Sequence, residues 1–166
     1  MRPVSDPEKA VSAVTLQRAD ASDAEQILQM QKASFAPLLE RYQDYDLNPA
    51  NETADRVRAR LMQPETYYYY ILVNGEAVGA IRIVDAKDGS RKRISPLFVL
   101  PEYRGRGFAQ AALREAERLH GSGGWALDTI LEEEGNCRLY EKMGYHQTGQ
   151  TRRINERMTL VDYEKP

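Results

Sequence analysis

A chain of 166 residues and 18.9 kDa is the size of one domain built on a single hydrophobic core. Its 23 Lys and Arg against 25 Asp and Glu leave a formal net charge of −2, which offers no basic face to a nucleic acid, and no apolar run approaches the roughly 18 residues that would cross a membrane. The lone Cys137 rules out an internal disulfide and no Cys/His cluster has metal-ligand spacing, so a reducing, cytoplasmic setting without a metal is expected.

Met1 to Ala13 mixes Arg2, Asp6, Glu8 and Lys9 with Pro3 and Pro7 and lacks the apolar centre of a signal peptide; a loose tail is expected over 1–13, ahead of one domain over 14–166. Val14 to Arg18 reads as a strand, and Ser22-Asp23-Ala24-Glu25 has the form of a capping box that opens a helix. Ala24, Ile27, Leu28, Phe35, Leu38 and Leu39 recur at helical spacing, while Pro37 should kink or end the segment. Tyr42 to Asn51 is polar, aromatic and interrupted by proline, which predicts a loop; a second helix then turns Ala54, Val57 and Leu61 inward.

Tyr67 to Val73 and Ala77 to Val84, joined by Asn74-Gly75, form a strong hairpin signal. Because neighbours in a strand face opposite ways, Tyr67 to Tyr70 are read as core residues of two faces and not as a binding stripe. A third strand, Arg93 to Leu100, contains Pro96, which cannot donate to a ladder and so implies a bulge or splayed edge. An amphipathic helix runs to His120 with Phe108, Ala109, Ala112, Leu113, Ala116 and Leu119 on its apolar face. Trp125 to Leu131 should be a buried strand, Asn136 to Met143 a short helix ended by Gly144, and Gln147 to Ile154 and Arg157 to Tyr163 two last strands.

The chemistry is clearest from Leu97 to His120. A strand, a turn with Gly105 and Gly107 and then a helix place free backbone N–H groups at a positive helix end, with Arg104 and Arg106 beside them; this is how a phosphate-bearing ligand is held. A Walker loop would need Gly-Lys-Ser/Thr after the turn, and a dinucleotide fingerprint a third glycine at Gln110; neither is present.

With Arg104-Gly105-Arg106-Gly107-Phe108-Ala109 in the form Arg/Gln-x-x-Gly-x-Gly/Ala, Phe98-Val99-Leu100-Pro101-Glu102-Tyr103 before it and Leu139-Tyr140-Glu141-Lys142-Met143-Gly144-Tyr145 after it, the sequence closely resembles the GNAT superfamily of N-acetyltransferases from about Tyr67 to Tyr163. That resemblance implies a mixed α/β fold, a mainly antiparallel sheet of six or seven strands with helices on both faces, splayed between its two central strands. It implies acetyl-CoA as donor, with backbone groups of Leu97, Phe98 and Val99 pairing with the pantetheine arm, Arg104, Gly105, Arg106, Gly107, Phe108 and Ala109 holding the pyrophosphate, and a backbone N–H near Phe98 or Val99 steadying the oxyanion. Asn136 would meet the pantetheine, although the family more often places its Asn seven residues before the Tyr, where Glu133 stands here; Asn136, four residues before Tyr140, serves equally as a helix N-cap.

Tyr140 is the expected acid, since a departing thiolate gains from a nearby phenol that stays protonated below a pKa of about 10. For the base that relieves the amine of its proton, Glu133 or its neighbour Glu132 is the candidate, at the end of the strand that borders the site. His120 and His146 have no orienting partner nearby in sequence and are read as bystanders, and Cys137 as a small packing residue. The acceptor pocket should involve the first helical region, where Tyr42, Asp44, Tyr45, Asp46 and Asn48 set carboxylates among aromatics, a setting suited to a small cationic amine. Other acceptors, including a protein N-terminus or lysine, stay open, as do a non-catalytic acyl-CoA-binding sensor, a longer acyl donor and a homodimer.

Overall fold

Along the chain of the computed structural model, which describes residues 14–166, the elements are β1 (Val14–Arg18), α1 (Ala24–Tyr42), α2 (Ala54–Leu61), β2 (Thr66–Val73), β3 (Glu76–Val84), β4 (Lys92–Val99), α3 (Phe108–His120), β5 (Trp125–Ile130), α4 (Glu134–Lys142), β6 (His146–Asn155) and β7 (Met158–Lys165). The tail expected over 1–13 lies outside the described residues. One seven-stranded sheet has the order β1-β2-β3-β4-β5-β7-β6, and every neighbouring pair is antiparallel except β4 with β5. The mixed, mainly antiparallel α/β architecture read from the sequence is therefore the one observed.

The two faces of the sheet are sorted by alternation along β2. Tyr68 and Tyr70 turn towards α1, where their hydroxyls donate to Gln31 Oε1 at 2.5 Å and Asp23 Oδ1 at 2.9 Å. Tyr69 turns the other way, into the cluster that Ala112, Leu113 and Ala116 of α3 build with Ile81, Ile83 and Trp125. Small residues on α3 let it lie close to the sheet. Leu119, expected on this buried face, is 44% exposed, and the next residue, His120, turns inward instead.

Two local signals resolve differently from the reading of the sequence. The capping box sits two residues earlier than Ser22–Glu25: Asp20 Oδ1 accepts from Ser22 N at 2.9 Å and Asp23 Oδ2 from Asp20 N at 2.8 Å, closing a single 3-10 turn that feeds α1. The Ser22 hydroxyl, expected as the cap, itself donates to Asp20 Oδ1 and so does not cap α1. Pro37 does not end α1. It removes only the bond to the Ala33 carbonyl, and the adjacent Ser34 carbonyl accepts from Arg104 Nη2 at 3.0 Å.

The centre of the sheet is where regular pairing fails. β4 and β5 are in parallel register only at Lys92 with Trp125 and Arg93 with Ala126. On its other side β4 carries the bulge expected at Pro96: Ile83 faces Ile94 and Ile81 faces Leu97, so Arg82 alone stands opposite Ser95 and Pro96 and its Nε donates to the Ser95 carbonyl. Beyond the bulge β3 lies so close to β4 that a Cβ on Gly79 would fall 2.1 Å from Phe98 O and 2.9 Å from Val99 Cα.

His120, read as a bystander, proves to be held from distant parts of the chain. Its Nδ1 lies 2.8 Å from Asp85 Oδ2 and its Nε2 2.8 Å from the Tyr69 hydroxyl. Burial works to raise the Asp85 carboxyl, but hydrogen bonds from His120 and from Lys87 N outweigh it and hold the group below the ordinary carboxylate range.

Two outcomes are expected. Gly79→Ala should cost about 1–3 kcal/mol in urea unfolding, since β4 must shift to admit the methyl group. A carboxyl with a lowered folded pKa stabilises above its unfolded value of about 3.9 and loses that contribution as pH falls through the folded one. Asp85→Asn should therefore unfold more easily at neutral pH and show a flatter loss of stability on acidification, measured by thermal unfolding across an acid series.

Candidate active site

The bulge and the parting of β4 from β5 create a strand edge with no partner. Leu100 N donates to Val78 O at 2.8 Å, so by the alternation of an antiparallel ladder Phe98 turns its backbone groups to Ala80, and Leu97 and Val99 turn theirs to the gap. Of the three residues expected to face a cofactor arm, Phe98 is thus committed to β3. Val99 O is engaged as well, accepting from Arg104 Nε at 2.9 Å and from Ser34 Oγ at 3.3 Å. Leu97 N–H, Leu97 C=O and Val99 N–H remain on the gap.

At the end of β4 the chain makes a 3-10 turn over Pro101–Tyr103 and enters α3 through Gly105 and Gly107, both at φ 79°. This left-handed geometry favours glycine. Gly107 occupies the N-cap without a side chain to satisfy the first turn, leaving the N–H groups of Phe108 and Ala109 at a positive helix end. Arg106 is exposed beside them, its guanidinium 5.8 Å from the Tyr103 ring. Arg104 differs from its expected place: besides Val99 O it reaches Ser34 O and Oγ, both at 3.0 Å, so its charge is spent bracing the end of β4 to α1. Phe108 itself is buried and packs in the core.

Beyond the gap lies a cavity of about 350 Å³, lined by Ser95, Pro96 and Leu97 of β4, by Thr129 and Ile130 of β5, by Tyr140, and by Asp44, Asp46 and Asn48 of the α1–α2 loop, whereas Tyr45, expected there, is exposed and Tyr42 bonds to Glu133. Tyr140 lies against Tyr145 and Tyr163 with ring centroids 5.7 and 6.2 Å away, which fixes its direction. Its hydroxyl has no hydrogen-bond partner among the described residues, and burial, then the charge of Asp128, pushes it well above the ordinary phenol range. The result is a protonated donor available to the cavity.

The other sequence-predicted residues stand apart from this cavity. Glu133, at the N-cap of α4, accepts from the Tyr42 hydroxyl at 2.5 Å and from Arg41 Nη1 at 2.9 Å, and so ties the β5–α4 connection to the end of α1. Asn136 is exposed within the first turn of α4, where Glu133 and not Asn136 is the cap. Glu132 accepts from Thr159 N at 2.8 Å. Cys137 is buried with Sγ near the Ile130 and Leu131 carbonyls, a packing residue as read.

Reading the sequence missed the arginines. Arg56, Arg60, Arg82, Arg93 and Arg152 all line the cavity, from α2, β3, β4 and β6. The one local signal is Arg82, a charge inside the apolar run Ala80-Ile81-Arg82-Ile83-Val84; the rest look like ordinary surface residues until the fold brings them together. Glu52 pairs with Arg60 at 2.6 Å, and Asp128 is shared by Arg93 at 2.7 Å and Arg152 at 3.2 Å.

The family model described as acetyltransferase (GNAT) family matches residues 25–145, from the first turn of α1 to the residue before β6. An acetyltransferase of Yersinia pestis (strain Pestoides F) is 31% identical over 121 residues, 71% of this chain and 83% of that protein. Among solved structures, spermidine N-acetyltransferase from Vibrio cholerae in complex with CoA and spermine superposes with a TM-score of 0.72 at 16% identity, over 92% of this chain and 94% of that one. PaiA N-acetyltransferase from Thermoplasma acidophilum in complex with coenzyme A superposes with a TM-score of 0.71 at 12% identity, over 92% and 99%. At such identities the structural likeness is one of fold, but the family match spans the open strand edge, the glycine turn and Tyr140 together: the chain belongs to the acetyltransferase (GNAT) family and is an acetyltransferase.

Proposed function

We propose that this acetyltransferase moves an acetyl group from acetyl-CoA directly to a primary amine, with both substrates bound at once. The observation that supports the reading is an unpaired strand edge on β4 that leads along the chain into an uncapped helix start and borders a cavity holding a phenol without a hydrogen-bond partner among the described residues. Those groups fit the donor: an amide-bearing arm needs strand-like partners, a pyrophosphate needs helix-end N–H groups, and a thiol leaving group needs an acid.

Acetyl-CoA supplies the activated acetyl group and its thiol. Leu97 and Val99 then act as the strand that receives the pantetheine arm, with Asn136 as a further contact from α4. Gly105, Arg106, Gly107 and the N–H groups of Phe108 and Ala109 hold the pyrophosphate, while Arg104 holds the end of β4 in place for them. Val99 N–H faces the gap and is the backbone donor suited to an oxyanion. Tyr140 gives its proton towards the departing sulfur.

The amine must lose a proton before it attacks. Glu133 stays the outer carboxylate of this route, pinned by Arg41 and Tyr42. Within the cavity Asp44 is better placed to accept the proton, because burial raises its carboxyl above the ordinary range while Asn48 Nδ2, at 3.3 Å, draws it back only in part.

Release of CoA thiol from acetyl-CoA with a panel of primary amines tests the reading. Tyr140→Phe should lower kcat by about 10²-fold or more with CoA binding retained; full turnover by that variant would remove Tyr140 from the chemistry. CoA binding without thiol release from any amine would favour the sensor. Arg106→Ala should weaken CoA binding about tenfold at unchanged stability, whereas Arg104→Ala should lower the unfolding midpoint as its brace is lost.

A further inference from the structure

We infer that the amine accepted by this enzyme also carries an oxyanion, a carboxylate in the simplest case, so that the substrate is a small zwitterion of amino-acid type and not a polyamine. The inference rests on the acetyl-transfer reading above and narrows the small cationic amine to one with a second, anionic group.

The charges that line the cavity are unevenly paired. Of its five arginines, Arg60 is neutralised by Glu52, and Arg93 with Arg152 shares the single carboxylate of Asp128. Arg82 has no carboxylate within ion-pair distance among the described residues; its one hydrogen bond goes to the Ser95 carbonyl. Arg56 stands one helical turn before Arg60 on the same face of α2 and makes no side-chain bond among the described residues. Burial, and after it the charge of Arg60, pushes the Arg82 guanidinium below its ordinary range. A partly buried guanidinium that faces other guanidiniums is costly unless an anion completes the site, and its planar fork matches the two oxygens of a carboxylate.

The α1–α2 loop brings the opposite sign to the same cavity. Asp44 and Asp46 of the α1–α2 loop line the same cavity, and neither has a cationic partner among the described residues. An ammonium is met there and an oxyanion by Arg56 and Arg82, which is recognition of both ends of one molecule. A polyamine would satisfy the loop carboxylates but set its remaining ammonium groups against the arginines. The volume of about 350 Å³ is shared with the acyl end and suits a small molecule.

The test uses matched amines that differ only in the oxyanion: lysine with cadaverine, tyrosine with tyramine, and phosphoethanolamine with ethanolamine, on the whole chain with acetyl-CoA. The oxyanion-bearing member should have a kcat/KM about tenfold higher or more, and the gap should close in Arg56→Gln and in Arg82→Met. Preference for lysine and tyrosine assigns a carboxylate, and preference for phosphoethanolamine alone assigns a phosphate. Equal turnover within the pairs, or a preference for cadaverine and spermidine, overturns the inference while leaving acetyl transfer intact. The same pairs titrated calorimetrically into the CoA-bound protein need no turnover. Tighter binding of the anionic member that is lost in Arg56→Gln supports the inference, and equal binding overturns it even if no amine releases thiol.

Discussion

Beyond Arg93 and Ala126 the two parallel strands at the centre of the sheet stop pairing, and the rest of the architecture is arranged around the backbone groups this leaves open. Unpaired strand groups are ordinarily a liability inside a fold. Here the loss is contained from both sides. Gly79 lets β3 grip β4 through Phe98, the Arg82 side chain fills the bulge at Ser95, and Arg104 takes up the Val99 carbonyl. What remains unsatisfied is a short row of groups on one edge, continuous with a helix start that is also uncapped. A rigid frame thus presents a linear set of donors and acceptors whose spacing the surrounding contacts set.

Around this edge the lining of the cavity is mixed in physical character. Tyr140 of α4, leaning on Tyr145 and Tyr163, is an aromatic member of it, while β5 contributes Thr129, Ile130 and the charge of Asp128. The side built by α2, β3 and the α1–α2 loop is dense in charge of both signs. Charges so placed lose much of their hydration, and their geometry, more than their number, decides which ligands are admitted.

Legibility in the sequence followed the range of the interactions. The β2–β3 hairpin, α3, the bulge at Pro96 and the glycine turn depend on residues close in the chain, and each was readable from propensity and spacing. Side-chain commitments made across the fold were not. Nothing near Arg104 says that its guanidinium will reach Ser34 on α1 while Arg106 stays exposed beside the glycine turn. Glu133 looks like a free acid until Tyr42 and Arg41 arrive from the end of α1, and His120 looks idle until β2 and β3 bring Tyr69 and Asp85. The arginines of the cavity come from four separate elements, so no window of sequence contains them.

The brace at Arg104 has a mechanical consequence. One guanidinium clasps the carbonyl of Val99 and two oxygens of Ser34, so the strand that borders the gap and the helix that leads into the α1–α2 loop are fastened at a common point. Neither can be displaced without dragging the other. The gap beside β4 and the loop that follows α1 therefore belong to one deformable body and not to two independent ones.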